Sequence, residues 1–215
     1  MNKQSTDAAT ARWLDFDLQA ADLDHPSWTS VNAVSLSHYW SGEEAPSNRH
    51  AEVRIVWTDN ALVVRFNCRQ SEPLIVSTNP QTNQKTIGLW DRDVCELFLA
   101  PDPENPNHYF EFEAAPTGEW IDLAVQLTPQ ERETDWDFQS GMTTAAQVSK
   151  DRVLIAMRIP WGVWTSKPKR GDRVRANLYR CVGIGDERGY IAWKPTYTPE
   201  PSFHVPTAFG WLHFS

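Results

Sequence analysis

The chain has 215 residues, 40% of them apolar and 22% charged, an ordinary globular composition with enough apolar material for a core. Lys and Arg number 20 against 28 Asp and Glu, a formal charge of −8. The basic footprint that nucleic acid or an anionic membrane surface requires is therefore missing, and no run approaches the ~18 apolar residues of a membrane span.

The first 30 residues carry no regular period and read as an irregular N-terminal segment. From there the dominant period is two. Val53, Ile55 and Trp57 alternate with polar residues, Asp59-Asn60 signals a turn, and Leu62 to Cys68 alternates again, which predicts a hairpin. Residues 71–90 are polar and hold two prolines, so they read as a long surface excursion. A third strand spans Val94–Leu99 and is stopped by APDPENPN; His108–Ala115, a Pro116-Thr117-Gly118 turn and Trp120–Leu127 follow. Residues 128–143 look irregular. Thr144–Val148 and Val153–Ile159 predict a second hairpin, and IPWGVW at 159–164 is at most one helical turn. Val174–Val182, Tyr190–Trp193 and Ala208–Phe214 complete about ten strands, which predicts an all-β fold, a two-sheet antiparallel β-sandwich with very little helix. No composition shift or repeat divides the chain, so residues 1–215 read as one domain.

The 11 tryptophans are in excess. A wide β core accounts for most of them, and the remainder suit a ligand-stacking surface, where a flat ring covers much area at small entropic cost. Cys68, Cys95 and Cys181 are odd in number and widely spaced, without CxxC or Cys/His ligand spacing, so they read as unpaired thiols. No apolar leader is visible in MNKQSTDAATARW, so the expectation from the residues is either a reducing, cytoplasmic setting, which the unpaired thiols favour, or a leader outside this sequence.

Chemistry concentrates on two strands. On His108–Ala115, period two sets Tyr109, Glu111 and Glu113 on one face and His108, Phe110, Phe112 and Ala114 on the other. The acidic face must meet water or a polar ligand, and carboxylates two residues apart stand roughly 6.5–7 Å apart at ~3.3 Å per residue. Glu96 lies inside the apolar run Val94-Cys95-Glu96-Leu97-Phe98-Leu99 and needs a partner, because an unpaired buried carboxylate is costly. Arg180 is a candidate for an ion pair; ligand hydroxyls are the other. No nucleophile elbow, phosphate loop or HxxxH is present, so no catalytic residue is assigned. Asp91, Asp93, Asp102, Glu104 and Asn105 could supply oxygens to a structural calcium, although EF-hand spacing is absent and no cofactor is firmly implied.

Five stretches in order resemble carbohydrate-binding modules of family 9: AEVRIVWTDNALVVRFNC from Ala51, WDRDVCELFL from Trp90, HYFEFEAAPTGEWIDL from His108, Pro160-Trp161, and SFHVPTAFGWLHF near the end. The resemblance implies a jelly-roll-like sandwich related to DOMON domains, a sugar or oligosaccharide as partner, and two aromatic rings clamping a terminal sugar. It places Trp90 and Phe203 as the clamp and Glu96 as a sugar-contacting carboxylate. Glu111 stands where family members carry a sugar-binding arginine. Together with Tyr109, Glu113, Asn177 and Arg180, these residues form the expected ligand set. Two other classes stay open at this point. One is an enzyme on the same scaffold, with Glu111 and Glu113 as a glycosidase pair or with lyase or isomerase chemistry. The other is a haem-binding electron-transfer module using Met142, Met157, His108 or His204.

Overall fold

The computed structural model describes residues 8–215. Its fourteen strands are β1 Ala8–Trp13, β2 Val34–Leu36, β3 His38–Tyr39, β4 Ala51–Trp57, β5 Ala61–Arg69, β6 Val94–Ala100, β7 His108–Ala114, β8 Trp120–Leu127, β9 Arg132–Asp135, β10 Thr143–Val148, β11 Arg152–Pro160, β12 Arg173–Val182, β13 Gly189–Ala192 and β14 Gly210–Phe214. Helix among the described residues is confined to five short 3-10 turns. The first hairpin shows how the sequence works locally. Thr58 Oγ1 accepts from the amides of Asn60 and Ala61 at 3.1 and 3.3 Å, which closes the turn and sets the register from Trp57↔Leu62 to Ala51↔Cys68.

The long path of strands runs β10-β11-β5-β4-β1-β14-β12-β6-β7-β8-β9, and it folds as a β-sandwich. The core fills the space between its two arms. Val53, Ile55, Val64, Phe66 and Met157 come from the β4-β5-β11 arm, and Leu97, Leu99, Phe110, Phe112, Leu178 and Phe214 from the other. One feature departs from the purely antiparallel expectation. Strand β1, in the segment that read as irregular, pairs in parallel with both β4 and β14 and joins the two arms. Its small buried residues Ala9 and Ala11 let it sit between them without a hydrophobic run of its own. Strand β9 likewise lies inside 128–143, and its polar, largely exposed RETD carries no apolar alternation that could have announced it.

A second apolar cluster covers the outer face of the β12-β6-β7-β8 arm, where Phe98, Tyr109, Ile121, Leu123, Val125 and Tyr179 pack under Phe203 and Phe209 from the segment before β14. Strand β6 is therefore buried on both faces along its whole length. Of the eleven tryptophans only Trp136 is exposed, so the core accounts for most of the excess.

Candidate functional site

Register decides what meets on the outer face of this arm. Tyr179, Glu96, Glu113 and Ile121 form one cross-strand row, and Asn177, Phe98, Glu111 and Leu123 form the next. Directly opposed residues point to the same side of a sheet, so three glutamates fall on one patch. Glu96, Glu111 and Glu113 are only 2%, 4% and 0% exposed, and each brings an oxygen within 4.8 Å of the others'. The acidic face of β7 is thus buried instead of solvated, and its side chains converge where the backbone rise alone sets them further apart.

Above this patch opens a cleft of about 390 Å³. The strands contribute Glu96, Phe98, Glu111, Leu123 and Cys181 to its lining, and Trp90, Trp136, Tyr190 and Phe203 supply aromatic rings. Arg132 and Thr134 of β9 border it as well. Trp90 and Trp136 are neighbours, with ring centroids 6.1 Å apart and planes inclined by 45°. Phe203 lies flat on Tyr179 at 3.9 Å and is almost wholly buried, so it serves as a fixed surface with only an edge to offer.

Trp90 is carried by the 3-10 turn Leu89–Asp91, entered through Gly88 at φ 80°, where a side chain would strain the backbone. Arg188 braces this turn. Its guanidinium donates to the carbonyls of Trp90, Arg92 (2.9 Å) and Gly183 (2.9 Å) while lying over the Tyr190 ring. Asp93 accepts the Gly183 amide at 2.9 Å and ties the same turn to β12. The polar excursion before it is tied down at Glu119, which accepts from the Gln81 amide at 3.5 Å and also meets Arg92 at 3.3 Å.

Electrostatically the patch is under stress. Burial and then the charge of Glu111 push Glu96 up to about 8, against a weaker hydrogen bond from the Cys181 thiol (3.4 Å). Burial, then the neighbouring carboxylates, drives Glu113 well above the usual range; burial also raises Glu111, against a hydrogen bond with Glu113 and the charge of Arg132. Glu111 Oε2 and both Glu113 oxygens have no hydrogen-bond donor among the described residues, so burial and mutual repulsion favour the protonated forms of the patch. His204 shares a 2.7 Å hydrogen bond with the Tyr109 hydroxyl, and burial holds it down at about 3. It is therefore neutral, and its 4.0 Å approach to Glu111 is a contact without ionic character.

Of the residues expected from sequence, Trp90, Glu96, Glu111 and Phe203 line the cleft, and Glu113 lies directly beneath it. Tyr109 is fully buried and reaches the site only through His204. Asn177 is also fully buried; its amide donates to the Tyr179 hydroxyl and the Lys194 carbonyl. Arg180 stands opposite Cys95, on the face turned to the interior, where it donates to the carbonyls of Arg49 and Arg69 and to Gln70. The expected Glu96–Arg180 pair does not form, because the two side chains leave the sheet on opposite faces. The proposed calcium ligands disperse too: Asp93 serves Gly183, and Asp102 accepts the Glu104 amide at 3.0 Å. Met157, considered as a haem ligand, is fully buried in the core. Sequence reading missed Trp136, Arg132, Tyr190 and Arg188, and weighed His204 only as a haem ligand. Trp136, set among acidic residues in ERETDWDF, carried the same signal that marked Trp90.

Three solved structures share the fold across nearly the full length. A candidate carbohydrate-binding protein from Bacteroides uniformis superposes with a TM-score of 0.77 at 15% identity, over 97% of this chain and 99% of its own. Family 9 carbohydrate-binding modules from Caldicellulosiruptor kristjanssonii, in complex with cellotriose and with glucose, each give a TM-score of 0.67 at 15% identity. They cover 97% of this chain and 93% and 95% of theirs. No curated protein matches the sequence. The family description itself, carbohydrate-binding family 9, matches residues 19–214, and the chain belongs to that family.

Proposed function

We propose that this chain is a non-catalytic sugar-binding module whose ligand is held in the cleft between Trp90, Trp136, Tyr190 and Phe203, above Glu96 and Glu111. The observation that carries the reading is the pairing of aromatic rings with buried carboxyl groups in one cleft of about 390 Å³, a volume suited to one or two sugar rings. A pyranose has apolar C–H faces and a rim of hydroxyls. Rings take the faces, and a few fixed polar groups take the rim. Family membership supports the same reading, as do the relatives' complexes with cellotriose and glucose.

Most of the aromatic lining is held rigidly. Phe203 is clamped on Tyr179, and Tyr190 is packed edge-on against Trp40 at 5.8 Å. Trp136, 44% exposed, is the ring with most surface free for stacking. Calorimetry of the whole chain against a panel of mono- and oligosaccharides tests the reading. Binding at up to millimolar sugar, lost on Trp90→Ala or Trp136→Ala while circular dichroism stays unchanged, is the expected result. A folded protein that binds none of the panel overturns it.

A further inference from the structure

The three glutamates pose a question of charge that sugar binding alone leaves open. Glu96 and Glu111 face the cleft, Glu113 lies beneath them, and three of their oxygens are out of reach of solvent and of every donor among the described residues. Basic side chains near by are engaged elsewhere or stand at the margin. Arg188 is spent on the carbonyls of Trp90, Arg92 and Gly183, and Arg132 borders the cleft from β9, where its charge acts on Glu111 without a hydrogen bond to it. The groups around the patch, Tyr109, Tyr179 and Cys181, retain their protons because burial raises all three, and His204 is neutral. A neutral sugar brings hydroxyl donors and no charge, and so offers nothing that favours the ionised form of these glutamates.

A protonated primary amine supplies what is missing. It offers three N–H donors from one atom together with a full positive charge, and charge-assisted bonds to carboxylate are about twice as strong as neutral ones. The tryptophan and tyrosine rings lining the same cleft attract a cation through their faces. The chain's charge of −8 steers cationic ligands toward it at long range. We infer that the cleft selects an amino sugar, with its ammonium group directed at Glu96 and Glu111 and its ring carried by the aromatic lining. This inference rests on the sugar-binding reading and adds the ligand's charge to it.

The test is calorimetry of the full chain at pH 7, in a metal chelator, with glucosamine, N-acetylglucosamine and glucose. Glucosamine is expected to bind about tenfold tighter or more than the other two, the scale of one charge-assisted hydrogen bond. In Glu111→Gln, and separately in Glu96→Gln, the ratio of glucosamine to glucose affinity is expected to fall toward one. Equal affinities in the wild-type protein overturn the inference while leaving sugar binding intact. So does a preference that survives both substitutions, or sugar binding that appears only when calcium replaces the chelator, which assigns the carboxylates to a metal ion. Failure of all three sugars and of the wider panel overturns the sugar-binding reading, and the amine preference with it.

Discussion

Replacing Glu96 by Gln should make the protein more stable, and the gain should grow with pH. The carboxyl group ionises near 4.5 in an unfolded chain and at about 8 in the folded one, chiefly because burial disfavours its charged form. A folded-state value raised in this way means the unfolded chain binds fewer protons between pH 4.5 and 8. Stability therefore falls as pH climbs through that window, and is highest from this group where both states are protonated. At about 1.36 kcal/mol per unit of displacement, ionising Glu96 costs the fold roughly 3 kcal/mol by pH 7, and little near pH 5. Glu111 and Glu113 are displaced in the same direction and add to the slope. Glutamine is nearly isosteric, keeps an oxygen for the Cys181 thiol at 3.4 Å, and gives an amide donor to carboxylates that lack one. Urea unfolding of both proteins from pH 5 to 8.5 measures the difference. Curves that diverge toward high pH, the wild type declining, are expected. Parallel curves, or a variant less stable than wild type at pH 8, would show that the patch is compensated in a way the geometry does not contain.

Truncating Trp90 to Ala should leave the unfolding midpoint within a few degrees of wild type yet weaken sugar binding by ~1–3 kcal/mol, the scale of a lost stacking platform; a collapsed fold with binding retained would place Trp90 in the core. Phe203→Ala should instead destabilise by about 3–5 kcal/mol in urea titration, because that ring is buried on Tyr179. Arg188→Ala should lower sugar affinity with a shift in tryptophan emission, and Arg188→Lys should not rescue it, since one ammonium cannot span the carbonyls of Gly183, Trp90 and Arg92; unchanged affinity would remove Arg188 from any positioning role. Cys68, Cys95 and Cys181 should all resist a thiol reagent until the chain is unfolded, despite a Cys68 thiol lowered to about 7 by its hydrogen bond from Cys95 at 3.5 Å; rapid native-state labelling of Cys68 would contradict its burial.

Strands whose side chains alternate between core and outer face were legible, because burial writes the period into the residue types. Trp120–Leu127 has the bounds expected of it, and β4, β5, β6, β7 and β11 begin or end within one or two residues of expectation. Strands held by pairing alone were not. Neither Ala8–Trp13 nor Arg132–Asp135 has a sequence reason to be a strand apart from its neighbours: the first fills a gap between β4 and β14, and the second extends an edge from β8. The same limit governed the N-terminal segment, whose Leu18 and Trp28 are buried against Val56 and Val63 without any period to announce it.

The site divides along the same line. Residues on β7 could be assigned to a face by counting, so Glu111 and Glu113 were placed together on one side of their strand, whereas Glu96 was marked only by its apolar neighbours. Counting within a strand cannot show which strand lies alongside, or in what register. Arg180 was for that reason matched to Glu96 from charge alone, although its true neighbour Cys95 faces the other way. Register also turned a row expected to meet water or ligand directly into a buried patch, since only the pairing Glu96↔Glu113 brings the third carboxyl beneath the other two. The cleft's upper lining, Trp136, Tyr190 and His204, comes from segments that lie from 25 residues past Glu111 to 108 past Glu96 in sequence, and no local pattern links them. What makes this place a site is the conjunction of the two: a sheet surface that concentrates negative charge where it is costly, and loops that cover it with aromatic rings while leaving an opening. A fold selected for stability alone would place apolar residues at Glu96 and Glu113. Carboxyls stand there instead, buried and short of donors, which is the cost that a ligand carrying N–H or O–H donors into the cleft would offset.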